Sequence, residues 1–283
     1  MSDVYLNGEF VERDVAAVSA FDRGVLYGDG LFETVRAYGG QPFDLGEHLA
    51  RLAGSAAFLG IPFPGREPIA GAVRELIDRN GLGDAYVRVT LTRGEHTGAL
   101  VPDEPGEPTV LVEARELHPY PAELYERGAD VIVSSLAHDS RSPLRAHKTT
   151  NYLLSIVAKR EAAGRGALEA VLLDPAGHVC ECATSNIFCV RGGALFTPPL
   201  DLNILPGITR SRVIELARAG GTAVREERFT ADDLRAADEA FVTNSLMEVL
   251  PVRSVGGVRL SAAPGPVTRS LRAAYRGLVP RGT

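Results

Sequence analysis

Short runs of alternating apolar and polar residues, joined by glycine turns, recur along this chain and constrain its fold more than any other feature. Val4-Tyr5-Leu6 and Phe10-Val11 flank Asn7-Gly8-Glu9, and an Asn-Gly pair suits a tight hairpin because both central positions take positive φ. The run from Asp84 to Arg93 places Tyr86, Arg88, Thr90 and Thr92 on one face and Val87, Val89 and Leu91 on the other, the period of a half-buried strand. Glu169 to Asp174 turns through Pro175-Ala176-Gly177-His178 into Val179 to Ala183. Hairpin-linked strands pair antiparallel, whereas parallel neighbours need a long crossover. A chain that keeps making hairpins between helical stretches is expected to be α+β, not a doubly wound parallel sheet.

The helical stretches carry a different period. Leu45, His48, Leu49, Leu52, Ala53, Ala56 and Leu59 form one stripe, Ile69 to Ile77 a second, and Asn151 to Ala163 and Ile208 to Ala219 two more. Further strands are expected at Leu31–Tyr38, after the turn Tyr27-Gly28-Asp29-Gly30, and at Thr109–Glu113, Val131–Ser134, Asn186–Val190 and Ala194–Thr197. At 283 residues, two domains are expected. His118-Pro119-Tyr120-Pro121 is the best connection, which divides the chain into a smaller N-terminal α/β domain, 1–120, and a larger C-terminal domain, 121–283. No internal repeat is evident.

The basic residues are lopsided: 30 Lys and Arg in all, with Lys only at 148 and 159. Arginine replaces lysine in most surface roles but supplies no primary amine for carbonyl chemistry, so each remaining lysine needs a reason. The net charge of −6 argues against nucleic acid or an anionic membrane as partner. No basic leader or apolar run near the ~20 residues of a membrane span is present, so a cytoplasmic protein is expected. Three cysteines, Cys180, Cys182 and Cys189, give no disulfide framework, and their spacing with His178 reads as small buried thiols, with no metal site expected.

Lys159 lies among Arg160 and Glu161 and reads as a solvated helix surface. Lys148 lies in Arg145-Ala146-His147-Lys148-Thr149-Thr150-Asn151-Tyr152, a polar loop entering a helix, a setting suited to an amine that condenses with a carbonyl. Leu205-Pro206-Gly207-Ile208-Thr209-Arg210 opens a helix whose first amides suit a phosphate, and it lacks the lysine of a nucleotide P-loop. Glu181, between Cys180 and Cys182 on an apolar strand, needs a partner, and a protonated pyridine nitrogen is one.

These segments together resemble the class IV aminotransferases, the fold-type IV pyridoxal-phosphate enzymes, over nearly the whole chain. The likeness rests on Tyr27–Arg36, Glu47–Leu52, His147–Tyr152, Glu181–Phe188, Leu205–Arg210, Thr243–Ser245 and Glu248–Val252, in order. It implies a two-domain fold like that of D-amino acid aminotransferase, its larger domain a mixed, barrel-like sheet. It also implies pyridoxal 5′-phosphate as cofactor. By that similarity Lys148 would bind the cofactor covalently and, once displaced by a substrate amine, shuttle a proton at the substrate Cα. Glu181 would hold the pyridine nitrogen protonated and Tyr152 would hydrogen-bond the ring's phenolic oxygen. Arg51, the Ile208 and Thr209 amides, the Thr209 hydroxyl and Ser245 would bind the phosphate.

The resemblance also implies substrate contacts at Tyr27, Phe32, Arg88 and Leu246, a homodimer, and amino acid and 2-oxo acid substrates such as 2-oxoglutarate. Tyr152 and Leu205–Arg210 resemble the enzymes of branched-chain L-amino acids. Cys182 after Glu181, and Asn244-Ser245-Leu246-Met247, resemble aminodeoxychorismate lyase, which releases pyruvate with the same cofactor. The Arg-x-His loop of many D-amino acid enzymes is missing, since Thr92-Arg93-Gly94 runs into Glu95-His96-Thr97-Gly98. A branched-chain or other apolar L-amino acid transaminase is therefore the expectation, with the lyase, a D-amino acid or R-amine transaminase, and a non-catalytic binding protein as alternatives.

Overall fold

A computed structural model describes residues 2–96, 100–101 and 106–280. Residues 97–99 and most of the Pro-rich stretch after Val101 lie outside the described residues, and with them the question of whether that stretch closes over a substrate. Contacts divide the chain into two compact units. The first runs to His118 and takes in His147–Asn151; the second comprises Pro119–Ala146 and Tyr152–Leu278. The short segment that carries Lys148 thus groups with the first unit, as do Val279 and Pro280.

The first unit orders its elements as β1 (Asp3–Leu6), β2 (Glu9–Glu12), α1 (Arg23–Tyr27), β3 (Gly30–Tyr38), β4 (Gln41–Pro42), α2 (Leu45–Leu59), α3 (Arg66–Arg79), β5 (Ala85–Thr92) and β6 (Thr109–Glu116). The strands form one antiparallel sheet in the order β2-β1-β6-β5-β3-β4. Asn7 and Gly8, at φ 49° and 103°, make the expected hairpin between β1 and β2. Val87, Val89 and Leu91 of β5 are fully buried and join Leu31 and Val35 of β3. The α2 stripe of Leu45, Leu49, Leu52 and Ala56 and the α3 residues Ile69, Val73, Leu76 and Ile77 complete this core. Helix α1 has no counterpart in the sequence pattern, because five residues are too short to show a period. It exists because Asp22 Oδ1 accepts from the Gly24 amide at 2.7 Å and Gly28, at φ 67°, ends it.

The second unit contains α4 (Ala122–Arg127), β7 (Ala129–Ala137), α5 (Leu153–Gly164), β8 (Glu169–Leu173), β9 (Val179–Cys182), β10 (Asn186–Arg191) and β11 (Ala194–Thr197). It continues through α6 (Ile208–Ala219), β12 (Val224–Glu226), α7 (Ala231–Arg235), β13 (Glu239–Asn244), β14 (Glu248–Val255), β15 (Val258–Arg259) and α8 (Pro266–Leu278). Its sheet runs β12-β11-β10-β13-β14-β7-β8-β9, with β15 on β14. Hairpin neighbours are antiparallel, while β7 pairs parallel with both β8 and β14, and β11 with β12. The expected α+β class is what forms, with a mixed sheet in this unit.

One surface reading is corrected. The Lys159 amine on α5 donates to the Leu168 carbonyl and lies 3.7 Å from Glu169 Oε1. Glu169 is fully buried at the start of β8, so Lys159 leaves the solvated face to neutralise a carboxylate that the fold encloses.

Candidate active site

The first unit holds Lys148 on a segment stitched to β3. The Phe32 amide donates to the Lys148 carbonyl at 2.9 Å, the Thr150 amide to the Gly30 carbonyl at 2.9 Å, and the Thr150 hydroxyl to the Gly28 carbonyl at 2.8 Å. His147 Nδ1 lies 2.9 Å from the Ser55 hydroxyl, and its ring stacks on Phe58. Lys148 is thus held by backbone bonds on one side and by a packed neighbour on the other.

Phe32 and Arg88 share this place with it. Successive strand residues face opposite ways, so Phe32 lies across β3 from the core residues Leu31 and Val35. The Lys148 amine sits 4.4 Å from the Phe32 ring centroid and the Arg88 guanidinium 3.8 Å from it, both within cation–π range. Arg88 also donates from Nε to the Thr90 hydroxyl at 3.2 Å. Tyr27 is half exposed, with the Arg23 guanidinium 4.9 Å from its ring centroid.

Arg51, expected at the phosphate, is paired to a residue that the sequence reading gave no role. Its Nε donates to Glu33 Oε1 at 2.8 Å and its Nη2 to Glu33 Oε2 at 2.6 Å. His48 Nδ1 lies 2.7 Å from the same Oε2; a carboxylate only accepts, so that nitrogen carries the hydrogen. Burial raises the Glu33 pKa, and the Arg51 charge together with these bonds outweighs it, bringing the carboxyl down to about 2. The signal was present in the alternation: Glu33 falls between Leu31 and Val35 on the core face, where a charge requires a partner.

In the second unit, β9 presents Glu181. The Leu205 amide donates to its Oε2 at 3.1 Å, and its Oε1 faces Arg145 Nη2 at 3.5 Å and His138 Nδ1 at 3.6 Å. His138 is buried, and burial first and the Arg145 cation second hold its imidazole down at about 4. Its Nε2 lies 3.0 Å from the Leu202 carbonyl and so carries the hydrogen, leaving Nδ1 to accept from Arg145 Nε at 3.4 Å. Arg145 therefore serves two acceptors, Glu181 and a neutral histidine. Burial, then the Glu181 charge, push the Tyr152 phenol up to about 12, so its hydroxyl keeps a proton to donate.

The other expected phosphate ligands are tied to the same strands. Among the described residues no side chain caps α6, which leaves its first amides, those of Ile208 and Thr209, without a capping partner. The loop before α6 is anchored by Asn186 Nδ2, which donates to the Leu205 carbonyl at 3.0 Å. A Cβ on Gly207 would fall 2.0 Å from Asn186 Oδ1, so glycine is required for the approach. Thr209 is buried. Ser245 and Leu246 occupy the turn between β13 and β14, where Asn244 Oδ1 accepts from the Leu246 and Met247 amides at 3.0 and 2.7 Å. Asn244 Nδ2 donates to the Thr184 carbonyl at 3.1 Å, linking that turn to the end of β9.

These residues fit pyridoxal 5′-phosphate. An uncapped helix start suits its phosphate, a carboxylate and a phenol suit its ring, and the buried Thr243 hydroxyl beside the β13–β14 turn has no hydrogen-bond partner among the described residues. Burial pushes the Cys180 and Cys189 thiols up to about 12 and Cys182 well above its usual value. Among the described residues no group of three or more His, Cys, Asp or Glu side chains is placed to hold a metal ion. A cavity of about 530 Å³ in the first unit, lined by residues including Tyr5, Asn7, Pro64, Glu95 and Val110, includes none of the expected site residues.

Comparison with known proteins bears on this geometry. The family described as Amino-transferase class IV matches residues 30–255. A Methanocaldococcus jannaschii protein named as a candidate branched-chain-amino-acid aminotransferase is 42% identical, across 96% of this chain and 95% of its own length. A D-alanine aminotransferase of Listeria monocytogenes is 36% identical, across 95% and 93%. The crystal structure of the T.th. branched-chain amino acid aminotransferase with pyridoxamine 5′-phosphate superposes at a TM-score of 0.91. It is 34% identical and covers 97% of this chain and 93% of that one.

Proposed function

This chain belongs to the class IV aminotransferases, and from that membership we propose that it moves the amino group of a branched-chain or other apolar L-amino acid to a 2-oxo acid such as 2-oxoglutarate. The observation that carries the reading is the fate of the two lysines. Lys159 is committed to Leu168 and Glu169, while Lys148 is fixed to β3 with its amine over Phe32.

Pyridoxal 5′-phosphate supplies an aldehyde that condenses with amines and a protonated ring that accepts the electron pair released at the substrate Cα. The residues proposed to work with it follow from their chemistry. Lys148 would anchor it covalently and, once a substrate amine has displaced it, its freed amine would take up the Cα proton and return it. Glu181 accepts the hydrogen on the pyridine nitrogen, and Tyr152 donates to the phenolic oxygen. Arg51, the Ile208 and Thr209 amides, the Thr209 hydroxyl and Ser245 hold the phosphate. Phe32, Tyr27 and Leu246 offer apolar surface to the substrate side chain, and Arg88 offers a guanidinium to a carboxylate. The division into domains 1–120 and 121–283 is kept as a proposal for the linear chain.

The place of work proposed is the cytoplasm, and among the described residues no helix is long and apolar enough to cross a membrane. A homodimer is proposed on exposed apolar side chains: Phe21, Val25 and Leu26 around α1, and Leu153, Ile156 and Val157 along one side of α5. Sedimentation of a fully active monomer defeats that part.

The activity is tested with purified protein, L-leucine or L-isoleucine and 2-oxoglutarate, following glutamate, with D-alanine, an R-amine and aminodeoxychorismate as parallel arms. Glutamate from the L-amino acids supports the reading; pyruvate from aminodeoxychorismate without amino transfer replaces it with the lyase. A visible absorption band that borohydride abolishes, leaving the label on Lys148, is expected of the wild type, and neither band nor label of Lys148→Ala.

A further inference from the structure

In the buried Glu33–His48–Arg51 cluster, Arg51 is assigned to the phosphate, while Glu33 and His48 have no task in the reaction. Glu33 is 1% exposed, inside a strand face otherwise made of Leu31, Val35 and Ala37. Enclosing a carboxylate and a guanidinium is costly, and apolar residues of similar volume often serve stability as well or better. A cluster of this kind therefore calls for an explanation beyond packing.

Its geometry supplies one. Two parallel bonds, 2.8 and 2.6 Å, hold the Nε–Nη2 edge of Arg51 against both oxygens of Glu33. A guanidinium is planar, so fixing one edge fixes the direction of the other. His48 sits one helical turn before Arg51 on α2, and its Nδ1, 2.7 Å from Glu33 Oε2, fixes the carboxylate in turn. An arginine side chain otherwise gives up considerable rotamer freedom when it grips a ligand.

We propose that Glu33, braced by His48, is a positioning residue that pre-sets the Arg51 guanidinium for the phosphate of the cofactor. This rests on the reading of Arg51 as a phosphate ligand. Two effects oppose each other when Glu33 is neutralised: the site gains positive charge, which favours a phosphate, and Arg51 loses its brace, which disfavours one. The second prevails, because the bidentate pair sets direction whereas added charge does not.

The test compares two ligands on cofactor-free full-length protein: pyridoxal 5′-phosphate and pyridoxal, which lacks the phosphate. Glu33→Gln is expected to weaken binding of the phosphorylated ligand about tenfold, the scale of one charge-assisted hydrogen bond, and to change pyridoxal binding less than about twofold. Glu33→Asp is expected to restore part of the loss. Should Glu33→Gln lose its fold, judged by circular dichroism, His48→Gln carries the test with a smaller phosphate-selective loss of about threefold. Equal weakening of both ligands assigns the cluster to packing and overturns the proposal, as does unchanged or tighter binding of the phosphorylated one. An Arg51→Gln arm separates the layers. If it leaves the preference for the phosphorylated ligand intact, the phosphate reading of Arg51 fails; if it alone removes that preference, only the role of Glu33 fails.

Discussion

The two lysines show how far a single residue type can be read from sequence. Scarcity among 30 basic residues singled both out, and the motif around Lys148 chose between them. The sequence could not show that Lys159 is itself committed, because Glu169 reaches it from a strand beginning ten positions later. Glu169 is buried, and burial raises its pKa while the Lys159 charge works the other way. Lys159→Met, which keeps the stem and removes the charge, is expected to lower stability by about 3 kcal/mol, the cost of leaving a buried carboxylate without its cation. Lys159→Arg is expected to stay within about 1 kcal/mol and to retain activity. Urea unfolding of the two variants side by side decides it; equal midpoints would return Lys159 to the solvated surface. Arg145 and His138 take their meaning from partners brought in by folding, whereas the β3 alternation marks Glu33 as a core-face charge without naming its partners.

Elements with a strong period were legible and those fixed by pairing were not. The α2 stripe, the α6 span Ile208–Ala219 and the alternation of β5 were readable because burial on one face imposes a period that composition displays. Helices α1 and α7, five residues each, depend on Asp22 and on the Thr230–Asp233 capping box, too local to register as periodicity. The parallel pairing of β7 with β14 joins strands more than a hundred positions apart, and no local pattern announces it. One element boundary yields a sharp prediction. At the start of α6, Gly207 permits the approach of Asn186, so Gly207→Ala must push that side chain off the Leu205 carbonyl or move the helix start. The expected cost is about 1–3 kcal/mol, the usual range for crowding a packed site, with weaker binding of pyridoxal 5′-phosphate, because the Ile208 and Thr209 amides move with the helix. Thermal unfolding with and without cofactor measures both. A variant that unfolds at the wild-type temperature and binds as tightly would show that the loop has room to spare.

For the whole molecule, two buried groups with depressed pKa values, one in each unit, predict how the chain responds to acid. His138, in the second, is held at about 4 when folded against 6.5 in the open chain. The unfolded state therefore binds the proton first, and the stability that His138 contributes above pH 6.5 is lost as pH falls towards 4. Glu33, in the first unit, is held at about 2 against 4.5, so its contribution persists above pH 4.5 and is lost between there and about 2. Each is worth up to roughly 3 kcal/mol, at 1.4 kcal/mol per pH interval. Two successive losses follow, the second unit weakening before the first. Amide hydrogen exchange read segment by segment resolves them, with protection of β8 and β9 falling between pH 6.5 and 4 and that of β3 and α2 below 4.5. His138→Gln, whose amide still has a donor for the Leu202 carbonyl, is expected to abolish the first loss and leave the second; Glu33→Gln does the reverse. If His138→Gln leaves the exchange of β8 and β9 as pH-dependent as before, the acid sensitivity of that unit between pH 6.5 and 4 does not come from His138.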